Sequence, residues 1–329
     1  MKSKIDNQEN PMKIVCRKAL LWGLCLGISL FQIHALAQEE EEPEKEESKT
    51  WEQTFIDSNI AISKWFDSVA EGLDLFLVGR RVTNRVNESS VRIENLIVSQ
   101  EGKALNNSVS VGVNPRLPNL EEYWHLKFAT YDDREDRRNT PSDYLRQTPR
   151  EKSYGATVGV FKKLGNVRTS FEPRIELKDP LSVSHSLSFE SVARMKGYEI
   201  NPKLEFWATP DKGVGTFQAL NFYFQLSKIW SITLVNQGNY EEKSHLYSVS
   251  NGISFGQILT RKSALSYNFF TGSNNQPNYH LESYNFGVAY SQILYRKILD
   301  FQVTPNVDFQ RTLDFKRVLG ITFAINLNF

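Results

Sequence analysis

Arg168, Glu172, Arg174, Glu176 and Lys178 carry opposite charges at alternate positions of one short stretch. A period of two puts all five on one face of an extended strand, because successive side chains of a strand point to opposite sides. Glu190 stands at the same parity in the next segment, and Glu199, Lys203 and Glu205 share a parity in the one after it. Facing a common interior, such groups can set a transverse electrostatic field across a narrow passage, as charged rings do in pores. They can also pair with one another and fill the space. Mutual pairing is expected either way, since an unpaired buried charge is costly.

A second charged stretch, 132–152, opens with Asp132, Asp133, Glu135 and Asp136 among Arg134, Arg137 and Arg138. A solvated outer loop is the default for such a segment. It could instead fold inward and narrow an interior, or meet lipopolysaccharide phosphates through the three arginines. Catalytic chemistry has thinner support. Ser250-Asn251-Gly252 is similar to the Ser-Asn-Gly of outer-membrane phospholipases, but Ser248 stands where their histidine would be. The alternation also puts Ser250 on the polar face, so no catalytic residue is assigned. His125, His185, His245 and His280 are scattered singly, without the close spacing of a zinc site. No glycine-rich phosphate loop or dinucleotide fingerprint is present, and no metal or cofactor is expected.

The elements that must position these groups begin after a processing segment. Lys2, Lys4, Lys13, Arg17 and Lys18 precede the apolar run 19–33, and Ala35-Leu36-Ala37 supplies a small-x-small cleavage site. That order is the secretory signal-peptide pattern, assigned to residues 1–37; the run is short for a membrane-spanning helix. Both cysteines, Cys16 and Cys25, fall inside it, so the exported chain would have no disulfide. Residues 38–50, with seven glutamates, read as a disordered acidic leader, or as a docking tail for a basic partner. The whole chain has 39 basic and 38 acidic side chains, a balance that gives no reason to expect a nucleic-acid partner. In 51–88 the residues Trp51, Phe55, Ile62, Trp65, Val69, Leu73 and Phe76 form one helical stripe, which predicts an amphipathic helix followed by a linker. Such a helix could lie at a membrane interface, sit in a lumen or simply pack.

From residue 89 to 329 the period is two. The last segment alternates Leu319, Ile321, Phe323, Ile325, Leu327 and Phe329 with Gly320, Thr322, Ala324, Asn326 and Asn328. Fourteen such segments can be drawn, each about ten to fifteen residues, where globular strands average about five or six. Aromatics (Trp124, Tyr198, Trp230, Tyr247, Tyr284, Tyr290, Phe329) gather near the ends of the apolar faces, as in the interfacial girdles of membrane barrels. In hydrocarbon the sheet must have no edge. The expected fold is therefore all-β: a transmembrane antiparallel up-and-down β-barrel of about 14 strands, with 12 to 16 compatible.

The run Ile321–Phe329 resembles the terminal strand of bacterial outer-membrane proteins, in which a final aromatic follows alternating apolar residues. The resemblance implies that Phe323, Ile325, Leu327 and Phe329 are read by the barrel-assembly machinery. The chain over about 63–329 also resembles an uncharacterised proteobacterial family of outer-membrane barrels. The resemblance rests on Ser63-Lys64-Trp65-Phe66-Asp67-Ser68, Pro115-Arg116-Leu117-Pro118, an Ala-Leu-Ser-Tyr strand from Ala264 to Tyr267, and a Gln-x-x-Tyr-Arg hairpin from Gln292 to Arg296. It implies the fold and brings no activity with it. The expectations for function are thus a channel for small solutes, a plugged envelope-organising barrel acting through its helix or outer loops, and, distantly, a membrane-embedded hydrolase. The expected surroundings are outer-membrane lipid and lipopolysaccharide, with a homo-oligomer compatible.

Overall fold

The computed structural model describes residues 51–78, 89–115, 124–138 and 150–329. The signal peptide, the acidic leader, the linker 79–88 and most of the turn at Pro115–Pro118 lie outside the described residues, as do the side chains of Val69, Leu73 and Phe76.

Fourteen antiparallel strands close on themselves. They are β1 (Ser90–Gln100), β2 (Asn106–Asn114), β3 (Trp124–Ala129) and β4 (Gly155–Leu164), then β5, which runs Val167–Phe171 and resumes as Arg174–Glu176. β6 follows as Ser182–Ser191 and Ala193–Met195, then β7 (Tyr198–Thr209), β8 (Gly213–Gln225) and β9 (Trp230–Glu241). The remainder are β10 (Leu246–Ile258), β11 (Ser263–Asn274), β12 (His280–Tyr295), β13 (Leu299–Gln310) and β14 (Arg317–Asn328). The interruption in β5 falls at Glu172-Pro173; proline has no N–H for the ladder and is tolerated in sheets at such irregularities. Each strand pairs with its neighbours in sequence. β14 then returns to β1, with Asn328 opposite Arg92 and Ile325 opposite Asn95. Closure leaves no row of unpaired backbone groups, the condition a sheet must meet in hydrocarbon.

Ser90 and Asn328 lie at one end of the cylinder, here called the terminal end. Apart from the nine-residue connection 115–123, strands reverse there in very few residues, with Gly165 and Gly197 at φ +62 and +92. At the opposite end the connections are also short, except for 130–154. That segment contains α2 (Asp133–Arg138) and turns inward.

Alternation decides which side chains meet inside. On β14 Thr322, Ala324 and Asn326 are buried while Ile321 is exposed. On β5 Ser170, Arg174 and Glu176 are buried while Phe171 and Ile175 are exposed. The interior is not uniformly polar, contrary to what the strand patterns suggest. Leu96, Val98 and Ala324 form one apolar cluster, and Val235 and Phe270 another. Gly252 stands between Val235 and Phe270 in register, and the fully buried Phe270 ring occupies the place a β-carbon on Gly252 would take. Gly252→Ala should therefore push Phe270 off its rotamer and destabilise the barrel by about 1–3 kcal/mol. The check is the midpoint of the heat-induced mobility shift of the folded barrel, which should fall by several degrees.

The helix α1 (Trp51–Val78) lies against the rim of the terminal end. Phe55 packs edge-on to Tyr295 at 6.0 Å, buried Asn59 donates to the Asn328 carbonyl at 3.2 Å, and Asp67 accepts from the Ser89 N–H at 2.8 Å. Of the described stripe side chains Phe55 meets the barrel, whereas Trp51, Ile62 and Trp65 are exposed. No described helix is long and apolar enough to cross a membrane, which says nothing of β-strands.

Candidate functional site: a charged latch across the lumen

Asp132 and α2 enter the lumen beside β5, β6 and β7 and are held there by ion pairs. Arg134 forks onto Asp132, with Nε to Oδ1 at 2.9 Å and Nη2 to Oδ2 at 2.7 Å. Its other donors reach the Glu172 carbonyl (2.7 Å) on β5 and Ser184 Oγ (2.6 Å) on β6. The Arg134 side chain is 1% exposed and that of Asp132 5%. Such a planar, bidentate pair is the geometry in which guanidinium is strongest.

Further contacts extend the latch around the wall. Glu205 on β7, itself buried, takes Arg138 at 3.0 Å, Lys203 at 2.9 Å and the Ser186 hydroxyl at 2.9 Å. Arg137 reaches Glu172 at 3.3 Å, and Lys127 on β3 meets Asp133 at 2.7 Å. Arg150, at the far end of the same connection, bridges Asp136 (2.6 Å) and Glu94 on β1 (3.2 Å) and lies 4.1 Å over the Tyr131 ring. At the loop-end rim Lys212 pairs with Glu135 at 2.7 Å, both partners partly exposed. Arg174, wholly buried, donates to the Ser153 carbonyl and lies near both Asp132 and Glu176.

Burial pushes the Asp132 carboxyl up, but hydrogen bonding and charge from Arg134, with Arg174 behind it, outweigh that and hold it at about 2. Burial likewise opposes ionisation of Asp133, while Arg137 and Lys127 bring it below the usual carboxylate range. Both groups lie outside the strands of the barrel. They are charged at neutral pH because cations have replaced the water they lost.

Two cavities flank α2. One, about 560 Å³, opens toward the loop end and includes Asp136, Arg138, Glu176, Trp207 and Glu241 in its lining. Eight carboxylates and five cationic side chains line it. The buried Arg134 and Arg174 behind that lining still leave carboxylates in the majority. The other cavity, about 370 Å³, lies toward the terminal end between Asp133, Arg137, Glu172, Arg168 and Lys203; its four carboxylates match four cations. Asp136 and Arg138 face the first cavity, and Asp133 and Arg137 the second, so α2 forms the partition.

The residues singled out from sequence divide accordingly. Glu172, Arg174, Glu176, Lys203 and Glu205 do meet, around α2. Lys178 pairs with Glu176 at 2.6 Å at the mouth of the first cavity. Arg168 and Glu190 are registered neighbours lower in the lumen, with Arg168 4.6 Å over the Phe161 ring. Glu199 does not join them: it pairs with Arg194 at 3.1 Å near the terminal end, both exposed. The expectation of a solvated outer loop is overturned for 132–138. The reading in which Arg134, Arg137 and Arg138 meet lipopolysaccharide phosphates falls with it, because lumen-wall acceptors already engage their donors and Arg134 is sealed from solvent. Phe323, Ile325, Leu327 and Phe329 lie on the terminal strand, away from the site. Ser250 faces the lumen with Gln237 and Gly272 as its registered neighbours, neither of them a base.

Several participants were not singled out from sequence, Lys127, Lys212, Ser184 and Ser186 among them, along with Glu94, Trp207 and Arg150. Glu94 is the one acid of β1, at the parity of Leu96 and Val98 and 3.6 Å from Arg92, and that parity could have identified it. Trp207 is an aromatic at lumen parity on β7; it leans over Gly215 and donates Nε1–H to Asn239 at 3.1 Å. Arg150 offered no local signal, since its partners are distant in the chain.

No protein-family model matches the chain, and no curated protein matches it in sequence. Among solved structures it is similar to the KdgM porin, at 10% identity over 72% of this chain and 99% of that one, with a TM-score of 0.36. It is also similar to OccK11 of Pseudomonas aeruginosa (9% identity, 73% of this chain and 95% of that one, TM-score 0.42). A third is the outer membrane channel DcaP of Acinetobacter baumannii (7% identity, 73% and 96%, TM-score 0.44). At these identities the likeness is one of fold.

Proposed function

We propose that this protein is a channel of a Gram-negative-type outer membrane, passing small polar solutes through a lumen narrowed by its own inward-folded loop. The observation that carries this reading is the partition itself. A single charged turn of helix, tied to the wall by ion pairs, separates two polar cavities that open toward opposite ends of the cylinder. An element that packed the interior solid would leave no such cavities, whereas here about 560 and 370 Å³ lined by charged side chains remain on either side of it. The outward apolar side chains and end-placed aromatics support the membrane placement. The exposed Ile62 and Trp65 of α1, beside the rim, suit a membrane interface, where tryptophan is favoured. Assembly through Phe323, Ile325, Leu327 and Phe329 and lipopolysaccharide as the outer surrounding belong to the same proposal.

The acidic lining of the larger cavity should favour cations over anions, because a low-dielectric wall focuses the field of unbalanced charge. The test is planar-bilayer recording of the folded protein under a salt gradient. Discrete current steps with a reversal potential of cation-selective sign are expected. Folded protein that inserts and gives no current would replace this reading with a plugged barrel acting through α1 or its loops. The cluster around Arg134 favours that alternative to the extent that its pairs do not open.

A further inference from the structure

Over most of the circumference the outward side chains at mid-height are apolar; on four neighbouring strands they are not. Gln218 on β8, Asn236 on β9 and Asn251 on β10 are exposed, and Thr271 on β11 shares their outward parity. Asn236 stands directly across from Asn251, and Asn251 across from Thr271. Along β10 Asn251 lies between outward Val249 and Ile253, with Tyr247 and Phe255 beyond them. The row therefore sits in the middle of the belt, between the aromatics, and not at headgroup level. Gly238, registered with Gln218 on one side and Val249 on the other, leaves room for the Tyr247 ring, which lies over it toward Gln218.

Internal bonds satisfy part of this row. Gln218 donates to the Tyr247 hydroxyl at 3.3 Å, Asn236 to the Leu220 carbonyl at 3.1 Å, and Thr271 to the Asn251 backbone carbonyl at 3.4 Å. The Asn251 carboxamide makes no hydrogen bond among the described residues. Elsewhere outward polar groups at this height are isolated: Asn95 has apolar Val109 and Ile325 as its registered neighbours, and His185 stacks on Phe171.

A carboxamide carries two donors and an acceptor, and in hydrocarbon each one left unmade is costly. Lipid tails offer nothing to it. A second carboxamide offers a full complement, because the group is its own hydrogen-bonding partner. We infer that the outward face of β8–β11 is the contact between copies of this chain in the membrane, with the Asn236–Asn251–Thr271 row meeting the same row of a neighbour across a symmetry axis. The uniformly apolar face of β13 and β14, with Val303 and Phe323 on it, is left to lipid.

This inference rests on the membrane placement proposed above, and the test separates the two. The full chain carrying Cys16→Ser and Cys25→Ser is given one new thiol, Asn251→Cys or Val303→Cys. It is folded into phospholipid vesicles and treated with a short bismaleimide. Cross-linked homo-oligomer from Asn251→Cys and not from Val303→Cys is expected. In detergent and in vesicles, Asn236→Leu with Asn251→Leu should convert the oligomer to monomer without altering single-channel conductance. Equal cross-linking at both positions, or an oligomer that survives the double substitution, overturns the inference. So does a barrel that inserts and stays monomeric, or an Asn251→Cys adduct formed in cells with a different protein. Failure to insert at all would instead remove the membrane placement.

Discussion

Arg134→Met should release α2 from the lumen wall and raise single-channel conductance several-fold, while the fourteen strands stay closed. The substitution keeps the length and apolar stem of the side chain but removes all its donors. Asp132 then keeps the residue-134 backbone N–H at 3.0 Å and the more distant Arg174 at 3.9 Å, but no charged partner in direct contact, in a place where its side chain is 5% exposed. Ser184 Oγ and the Glu172 carbonyl lose a donor as well. Breaking one half of a buried ion pair costs about 3–5 kcal/mol, because the surviving charge is left without water or a partner. That is enough to shift a small inserted helix toward a released population, although the buried Arg138–Glu205 pair still tethers its C-terminal end. The effect should stay local, since no ladder hydrogen bond uses Arg134. Lys212→Ala provides the contrast. Its pair with Glu135 is 39% and 31% exposed, and a rim pair of that kind is worth less than about 1 kcal/mol, so its conductance should match wild type. Unchanged current in Arg134→Met would mean that α2 does not narrow the path.

Acid should open the same latch, but only at unusually low pH. The Asp132 carboxyl is depressed in the folded protein from 3.8 to about 2. A group depressed on folding contributes its stabilisation in full above the unfolded value and loses it as pH falls through the folded one. The Asp132 contribution, about 2 kcal/mol, is therefore intact at neutral pH, begins to weaken near 4 and is gone below about 2. Conductance attributable to Asp132 should stay level from neutrality to about pH 4 and rise between 4 and 2. Asp132→Asn removes the titrating group and should give the raised conductance already at neutral pH, with the step between 4 and 2 missing. The two proteins are compared by recording over the same pH series. A wild-type step centred near neutrality, or the same step surviving in Asp132→Asn, would detach the latch from this carboxylate.

The sequence carries the wall plainly. Strand β14 can be read residue by residue, because a sheet with one side to lipid and one to its own interior imposes strict alternation, and Ile321, Phe323 and Ile325 can occupy only one of those sides. The charged parity of β5 and β7 is legible for the same reason, and places Arg174 and Glu205 inside. The helix α1 shows where that logic weakens. Its apolar stripe identifies a helix correctly but not the whole of the face that meets the barrel, to which it contributes Phe55; Asn59 and Asp67 complete that face through partners more than two hundred residues away, or just beyond the helix.

By itself, then, the amino-acid order determined the repeating unit, a barrel of about fourteen strands and the parity that divides each strand between two faces, because those follow from a local period of two. Tertiary structure alone decided the latch. Whether 132–138 remains in solvent or enters the lumen depends on Glu172, Ser184 and Glu205, which closure of the cylinder brings into reach of Arg134, Arg137 and Arg138. A charge selects its partner by distance in space, and no local pattern encodes that distance.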